Sequence, residues 1–185
     1  MKITQEFVVP RSPDTVWEFF QDMQSVAQCL PGAELMGQSA DGSYEGSLSV
    51  KLGPMTAIFE GIATVVPDPV ARRASIEGKG VDKKGGSRGQ VKVDYRVIPS
   101  GAADSSVTVD ADITLSGPAA QFGRTGLINE MSKRLIGDFV ACLEAKLAAP
   151  TEAEADSIKA PEVRGLSLFF SSLWAAIKRL FSRGA

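Results

Sequence analysis

Residues 91–148 read VKVDYRVIPSGAADSSVTVDADITLSGPAAQFGRTGLINEMSKRLIGDFVACLEAKLA. Val91, Val93, Tyr95 and Val97 alternate with Lys92, Asp94 and Arg96. Val107, Val109, Ala111, Ile113 and Leu115 alternate with Thr108, Asp110, Asp112 and Thr114. A period of two marks strands with one buried and one wet face. The period then changes. Ile128, Met131, Leu135, Phe139 and Leu143 recur at steps of three and four, which predicts one helix from about Pro118 to Ala148 with a single apolar stripe. A sheet with one apolar face must bury it, and this helix is the only large partner in the chain.

The pattern extends toward the N-terminus. Tyr44, Leu48 and Val50 alternate with Glu45, Ser47, Ser49 and Lys51, and Phe59, Ala63 and Val65 with Glu60 and Thr64. Turns are expected at Asp41-Gly42, Gly53-Pro54, Pro67-Asp68-Pro69, Gly85-Gly86 and Pro99-Ser100-Gly101. Lys2–Val9 reads as the first strand. Ser12-Pro13-Asp14 supplies a capping hydroxyl, a proline at the first helical position and an acid at the positive end of the dipole, so a helix follows, burying Val16, Trp17, Phe19 and Phe20. A second short helix over Asp22–Gln28 stops at Leu30-Pro31-Gly32. The expected fold class is α+β: a curved antiparallel sheet gripping a long C-terminal helix, with two short helices after strand 1.

Charge divides the chain into three. Residues 1–149 carry 15 basic and 18 acidic side chains and form the expected folded domain. Residues 150–162 (PTEAEADSIKAPE) carry one basic and four acidic, with Ile158 as the one large apolar residue; they read as a flexible acidic linker with an r.m.s. span of about 20 Å. Residues 163–185 carry four basic and no acidic residues. There Leu166, Phe169, Phe170, Leu173, Trp174, Ile177, Leu180 and Phe181 share one side of a helical wheel, opposite Lys178, Arg179 and Arg183. Aromatic and aliphatic residues on one face with cations on the other predict a helix lying on a membrane surface; the same stripe would also suit docking on a partner or on the domain itself.

Composition removes several classes. With a net charge of −2 and a pI near 5.3, no nucleic acid partner is expected. Histidine is absent, which excludes the usual hydrolase triads and the commonest metal ligand; no metal site is expected. Cys29 and Cys142 belong to no CxxC or ligand cluster and read as two reduced, buried thiols. No signal peptide and no apolar run long enough to span a bilayer is visible, so a cytoplasmic location is expected.

Inward strand positions include many small residues: Gly46, Ala57, Gly61, Ala63, Ala74, Gly78 and Ala111 beside Phe59, Tyr95 and Leu115. The last helix adds Gly123, Gly126 and Gly137. Small residues permit either close sheet–helix packing or room for a ligand. The candidate lining is Leu30, Pro31, Phe59, Gly61, Ala63, Val93, Tyr95, Phe122, Ile128, Met131 and Leu135, with Tyr95, Asn129 and Ser132 as polar handles. No catalytic residue is expected: Asp94, Asp110 and Asp112 alternate outward.

Three segments resemble one family. Cys29-Leu30-Pro31-Gly32-Ala33-Glu34, Val50-Lys51-Leu52-Gly53-Pro54-Met55, and Gly117-Pro118-Ala119-Ala120-Gln121-Phe122-Gly123-Arg124 are similar to motifs of the family of carbon monoxide dehydrogenase G-type subunits, in the START-like, helix-grip (SRPBCC) superfamily. The resemblance covers about residues 1–147. It implies seven strands on the last helix, an interior for an apolar molecule, and an accessory role toward a molybdenum hydroxylase of the carbon monoxide dehydrogenase type. It also places Leu30-Pro31-Gly32 and Gly53-Pro54-Met55 near a pocket mouth. With the tail, it leads to a non-enzymatic protein, peripheral on the inner face of the cell membrane, that carries a respiratory quinone or similar apolar lipid. A membrane anchor or assembly factor with an empty pocket is the second expectation. A small cyclase or hydrolase of the same fold is the third.

Overall fold

The computed structural model describes residues 1–52, 55–124 and 127–161, with side chains throughout except over 123–129. Gly53, Pro54, the side chains of Gly123, Arg124, Ile128 and Asn129, Gly126, and the amphipathic run from Leu166 to Phe181 with Lys178, Arg179 and Arg183 lie outside the described residues.

Strand β1 (Lys2–Val9) leads into α1 (Pro13–Gln21) and α2 (Met23–Cys29). Ser12 caps α1 by accepting the Thr15 amide, and the Asp22 carboxylate caps α2 by accepting the amides of Gln24 and Ser25. Six strands follow as a meander: β2 (Ala33–Gln38), β3 (Tyr44–Leu52), β4 (Met55–Asp68), β5 (Arg73–Asp82), β6 (Ser87–Ser100) and β7 (Asp104–Ser116). All seven form one antiparallel sheet in the order β1-β7-β6-β5-β4-β3-β2. A 3-10 segment (Gly117–Arg124), α3 (Leu127–Ala148) and α4 (Glu152–Ser157) complete the described chain.

Four features depart from the sequence pattern. The single helix from Pro118 is two elements. Pro118 has no amide to donate, and the Ala119 amide bonds the Ser87 hydroxyl at 3.0 Å rather than a helical carbonyl, so the first turns stay 3-10. β2 forms without any strand signal of its own: AELMGQ holds no β-branched residue, and its register shifts between Leu35 and Gly37. Cys29 and Cys142 are not free thiols but a disulfide that ties α2 to α3 across 113 residues. Finally, the described part of the expected linker, residues 150–161, is not plain coil. Thr151 caps α4, and Ile158 and Ala160 pack on the core.

The interior holds two separate clusters. The larger joins Val9, Val16, Trp17, Phe19, Phe20, Tyr95, Val97, Val107, Phe139 and Leu143 beneath α1 and the second half of α3. Its spine is aromatic: Phe139 stacks on Phe20 (5.8 Å between centroids), which stacks on Tyr95 (4.7 Å). The smaller joins Leu52, Ala57 and Ala119, with Val50, Met55, Phe59, Leu115, Phe122 and Met131 packed against it.

Candidate functional site

Between these clusters the inner face of the sheet is only half covered. Ala63, Gly78, Val91 and Ile113 lie side by side across β4, β5, β6 and β7, and Val93 pairs with Ala111 in the next row. All six are half-buried, and none belongs to either cluster. Small residues at the centre and β-branched ones beside them leave a bare apolar floor facing α3. None of these side chains titrates, so the floor suits a neutral apolar molecule.

The structure divides the predicted lining. Phe59, Phe122 and Met131 meet at the smaller cluster, at one end of the floor. Ala63 and Val93 are on the floor itself. Leu135 is half-buried on α3. Tyr95 belongs to the larger cluster at the other end and is 5% exposed. Leu30 and Pro31 stand apart in the α2–β2 turn, where Leu30 accepts the Ala33 amide and Gly32 the Ser49 amide; neither is in a cluster. Ser132 is half-buried on α3. Sequence reasoning missed Val91 and Ile113. Their alternation is visible in the chain, but their place beside Ala63 depends on strand register.

Gly61 has a different reason to be glycine. It begins a row, Gly61–Gly80–Gly89, that Gly46 extends on the other side, one glycine on each of β3 to β6. A Cβ at Gly46 would come within 2.6 Å of the Glu34 carbonyl oxygen, and one at Gly61 within 1.9 Å of that of Lys79. Close backbone approach, not ligand room, explains these two glycines.

The Tyr95 hydroxyl is sealed and has no partner in hydrogen-bond geometry; the side-chain amide of nearby Gln21 donates to the Trp17 carbonyl at 3.3 Å. Burial pushes the phenol up to about 12, with Gln21 offsetting a little of the shift. Tyr95 is thus a neutral donor over the whole physiological range.

A broad concavity of about 770 Å³ lies elsewhere, bordered by Val66, Arg73, Asp94, Arg96, Ile98 and Asp110. Most of its border alternates with inward residues such as Val97, so it opens on the outer face of the sheet. Most of its charged groups have partners: Arg73 with Asp68, Asp94 with Ser75, Asp110 with Thr4. It does not suit an apolar ligand. Asp94, Asp110 and Asp112 are all exposed there, away from the floor. Among the described residues no group of acids and cysteines is placed to hold a metal, and no helix is long and apolar enough to cross a membrane.

A seven-stranded antiparallel sheet closed by a C-terminal helix, with an apolar floor between them, is the helix-grip fold of START-like proteins. The sequence profile of the CoxG family, the G-type subunits of carbon monoxide dehydrogenase, matches residues 6–148, and the chain belongs to that family. Several solved structures share the fold at low identity. A conserved protein from Geobacillus kaustophilus is 16% identical with a TM-score of 0.66, over 80% of this chain and 95% of that one. The Zhui aromatase/cyclase from Streptomyces sp. R1128 is 14% identical with a TM-score of 0.56, over 80% and 96%. A START superfamily protein from Mycobacterium smegmatis is 16% identical with a TM-score of 0.52, over 77% and 94%. Among curated protein sequences nothing matches significantly.

Proposed function

We propose that this protein binds an apolar, uncharged molecule on the floor formed by Ala63, Val91, Val93, Ala111 and Ile113, and serves as a carrier rather than a catalyst. One observation supports this most directly: the inner face is apolar and only half covered between two well-packed clusters. Leaving such a surface half-exposed forgoes about 25 cal/mol for each Å² of apolar area, a cost that an apolar guest would recover. The family to which the chain belongs supports the identity of the guest. An accessory to a molybdenum hydroxylase whose electrons enter the membrane would carry a respiratory quinone, and residues 163–185 would hold the protein on the inner face of the membrane. The disulfide pulls against a cytoplasmic location, because thiols there are kept reduced. Burial of both cysteines slows reduction of the bond once formed, since access limits exchange.

The test is mass spectrometry of an organic extract of the full-length protein purified from a quinone-containing bacterium. A stoichiometric quinone, absent from an Ala63→Phe variant, supports the carrier. A clean extract from folded, membrane-bound protein favours the anchor or assembly-factor reading. A different lipid keeps the site and discards the quinone. Turnover of a polyketide-like substrate would move the protein to the cyclases, whose fold it shares.

A further inference from the structure

Lys146 is 5% exposed, yet among the described residues no carboxylate pairs with it. A buried ammonium needs acceptors. It donates to the Gln28 side-chain oxygen at 2.6 Å and to the Ala155 carbonyl at 2.8 Å. Ala155 is in the last turn of α4, where its carbonyl also accepts the Ile158 amide at 3.1 Å and the dipole is negative, so a cation is well placed there. Next, the Ala160 amide donates to the Gln28 backbone carbonyl at 2.8 Å, and Ile158 and Ala160 rest on the larger cluster. Lys146 lies one turn beyond Cys142 on α3, and Gln28 directly precedes Cys29 on α2. The same seam is therefore closed three times: by the disulfide, by Lys146, and by residues 151–160 laid across it.

We infer that residues 151–160 are a docked strap, locked by Lys146, which shortens the tether of the C-terminal segment and makes the α2 side of the domain the side that faces the membrane. This rests on the membrane reading of residues 163–185 given above. With the strap docked, the chain leaves the domain beside Gln28, and only residues 161–165 separate that point from the apolar stripe beginning at Leu166. Five residues reach at most about 18 Å. With the strap released, residues 150–165 are free and behave as a coil of roughly 22 Å r.m.s. that extends much further, so the domain can turn any side to the bilayer. The exposed acids of α4, Glu152, Glu154 and Asp156, would oppose this orientation on an anionic surface, but the cations of residues 163–185, Arg164 first and then Lys178, Arg179 and Arg183 further along, offset them.

Two readouts test this on the full chain, with Lys146→Met as the variant because it keeps the apolar stem and removes the ammonium. Hydrogen exchange without lipid reads the strap: the amides of Ile158 and Ala160 are expected to be protected about 100-fold, with most of that lost in Lys146→Met. Vesicles of phosphatidylcholine and phosphatidylglycerol carrying nitroxide lipid read orientation, through a fluorophore on Gln24→Cys (α2) or Lys79→Cys (outer face of β5), both exposed sites. Quenching several-fold stronger at 24 than at 79, falling to near parity with Lys146→Met, is the expected result. Equal quenching in the parent chain overturns the orientation. Unprotected amides at 158 and 160 overturn the strap, whatever the vesicles do. No vesicle binding with both amides protected overturns the membrane reading and leaves the strap standing.

Discussion

Gly61 of β4 lies opposite Gly80 of β5, so close that a Cβ on Gly61 would stand 1.9 Å from the Lys79 carbonyl oxygen and 2.6 Å from the Gly80 Cα. No side-chain rotation relieves a clash with backbone. Gly61→Ala should therefore separate β4 from β5 at the middle of the sheet and cost at least about 1–3 kcal/mol, the range for overpacking. Gly89, two strands away in the same row, is the control: its Cβ would meet the side chains of Leu115 and Phe59 at 3.5 Å, an ordinary contact. Chemical denaturation should show Gly61→Ala with a clearly lower midpoint and Gly89→Ala within about 1 kcal/mol of the parent.

The floor itself can be tested without knowing the ligand. In a close-packed interior, Ala63→Leu would add three carbons where none fit and destabilise by about 1–3 kcal/mol. Over a half-covered floor the added carbons bury apolar area of their own. Ala63→Leu should then leave stability unchanged or raise it by up to about 1 kcal/mol, read as the denaturation midpoint of extracted, ligand-free protein. A midpoint drop as large as that of Gly61→Ala would mean the gap is not there.

How far the fold is legible in sequence follows from the range of the signals. The strands of Val91–Val97 and Val107–Leu115 and the Ser12-Pro13-Asp14 helix start are readable because alternation and capping are local. The row Ala63–Gly78–Val91–Ile113 is a product of register between four strands, so only its members' inward direction is visible. Gly61 suggests ligand room because a missing side chain reads the same whether a ligand or a neighbouring backbone fills the space. The disulfide and the Lys146–Gln28 bond join residues more than a hundred positions apart, and nothing in local pattern reports such a pair. The acidic composition of residues 150–162 points to coil because the linker's docking depends on one buried lysine more than a hundred residues from its partner Gln28, and on only two apolar side chains of its own, Ile158 and Ala160.

The disulfide makes a direct prediction. It closes a separation of 113 residues, and in the chain-entropy account a loop of this length restricts the unfolded state by about 4–5 kcal/mol. A Cys29→Ser/Cys142→Ser protein should lose about 2–5 kcal/mol, or about 4–20 °C in Tm for a chain of this size. Both cysteines are buried, at 0% and 5% exposure, so the parent should resist alkylation unless reductant and denaturant are both present. Mass spectrometry under non-reducing conditions reads this as two missing hydrogens and no added alkyl group. Full alkylation of native protein without reductant would show the pair to be free.

Tyr95 carries the last prediction, and its sign is opposite to that of most core substitutions. The phenol packs well, stacked on Phe20 at 4.7 Å, but its hydroxyl is sealed without a partner. A buried unsatisfied hydroxyl costs about 1–3 kcal/mol. Tyr95→Phe keeps the ring and removes that cost, so it should stabilise by about 1 kcal/mol. Burial also raises the folded-state pKa to about 12 from the ordinary 10.0 of a free phenol side chain. Below pH 10 both states are neutral and nothing changes. Between about 10 and 12 the unfolded tyrosine gives up its proton while the folded one keeps it, so the unfolded state binds fewer protons and stability falls as pH rises. The loss is on the order of 1–2 kcal/mol. Denaturation midpoints measured across that window should fall in the parent and fall less in Tyr95→Phe, while the ultraviolet tyrosinate signal of native protein keeps one tyrosine silent until the upper end. If Tyr95→Phe instead destabilises the protein and the phenol ionises with an ordinary pKa, the hydroxyl has a partner that favours the phenolate, with the Gln21 side-chain nitrogen turned to donate to it as the first place to look.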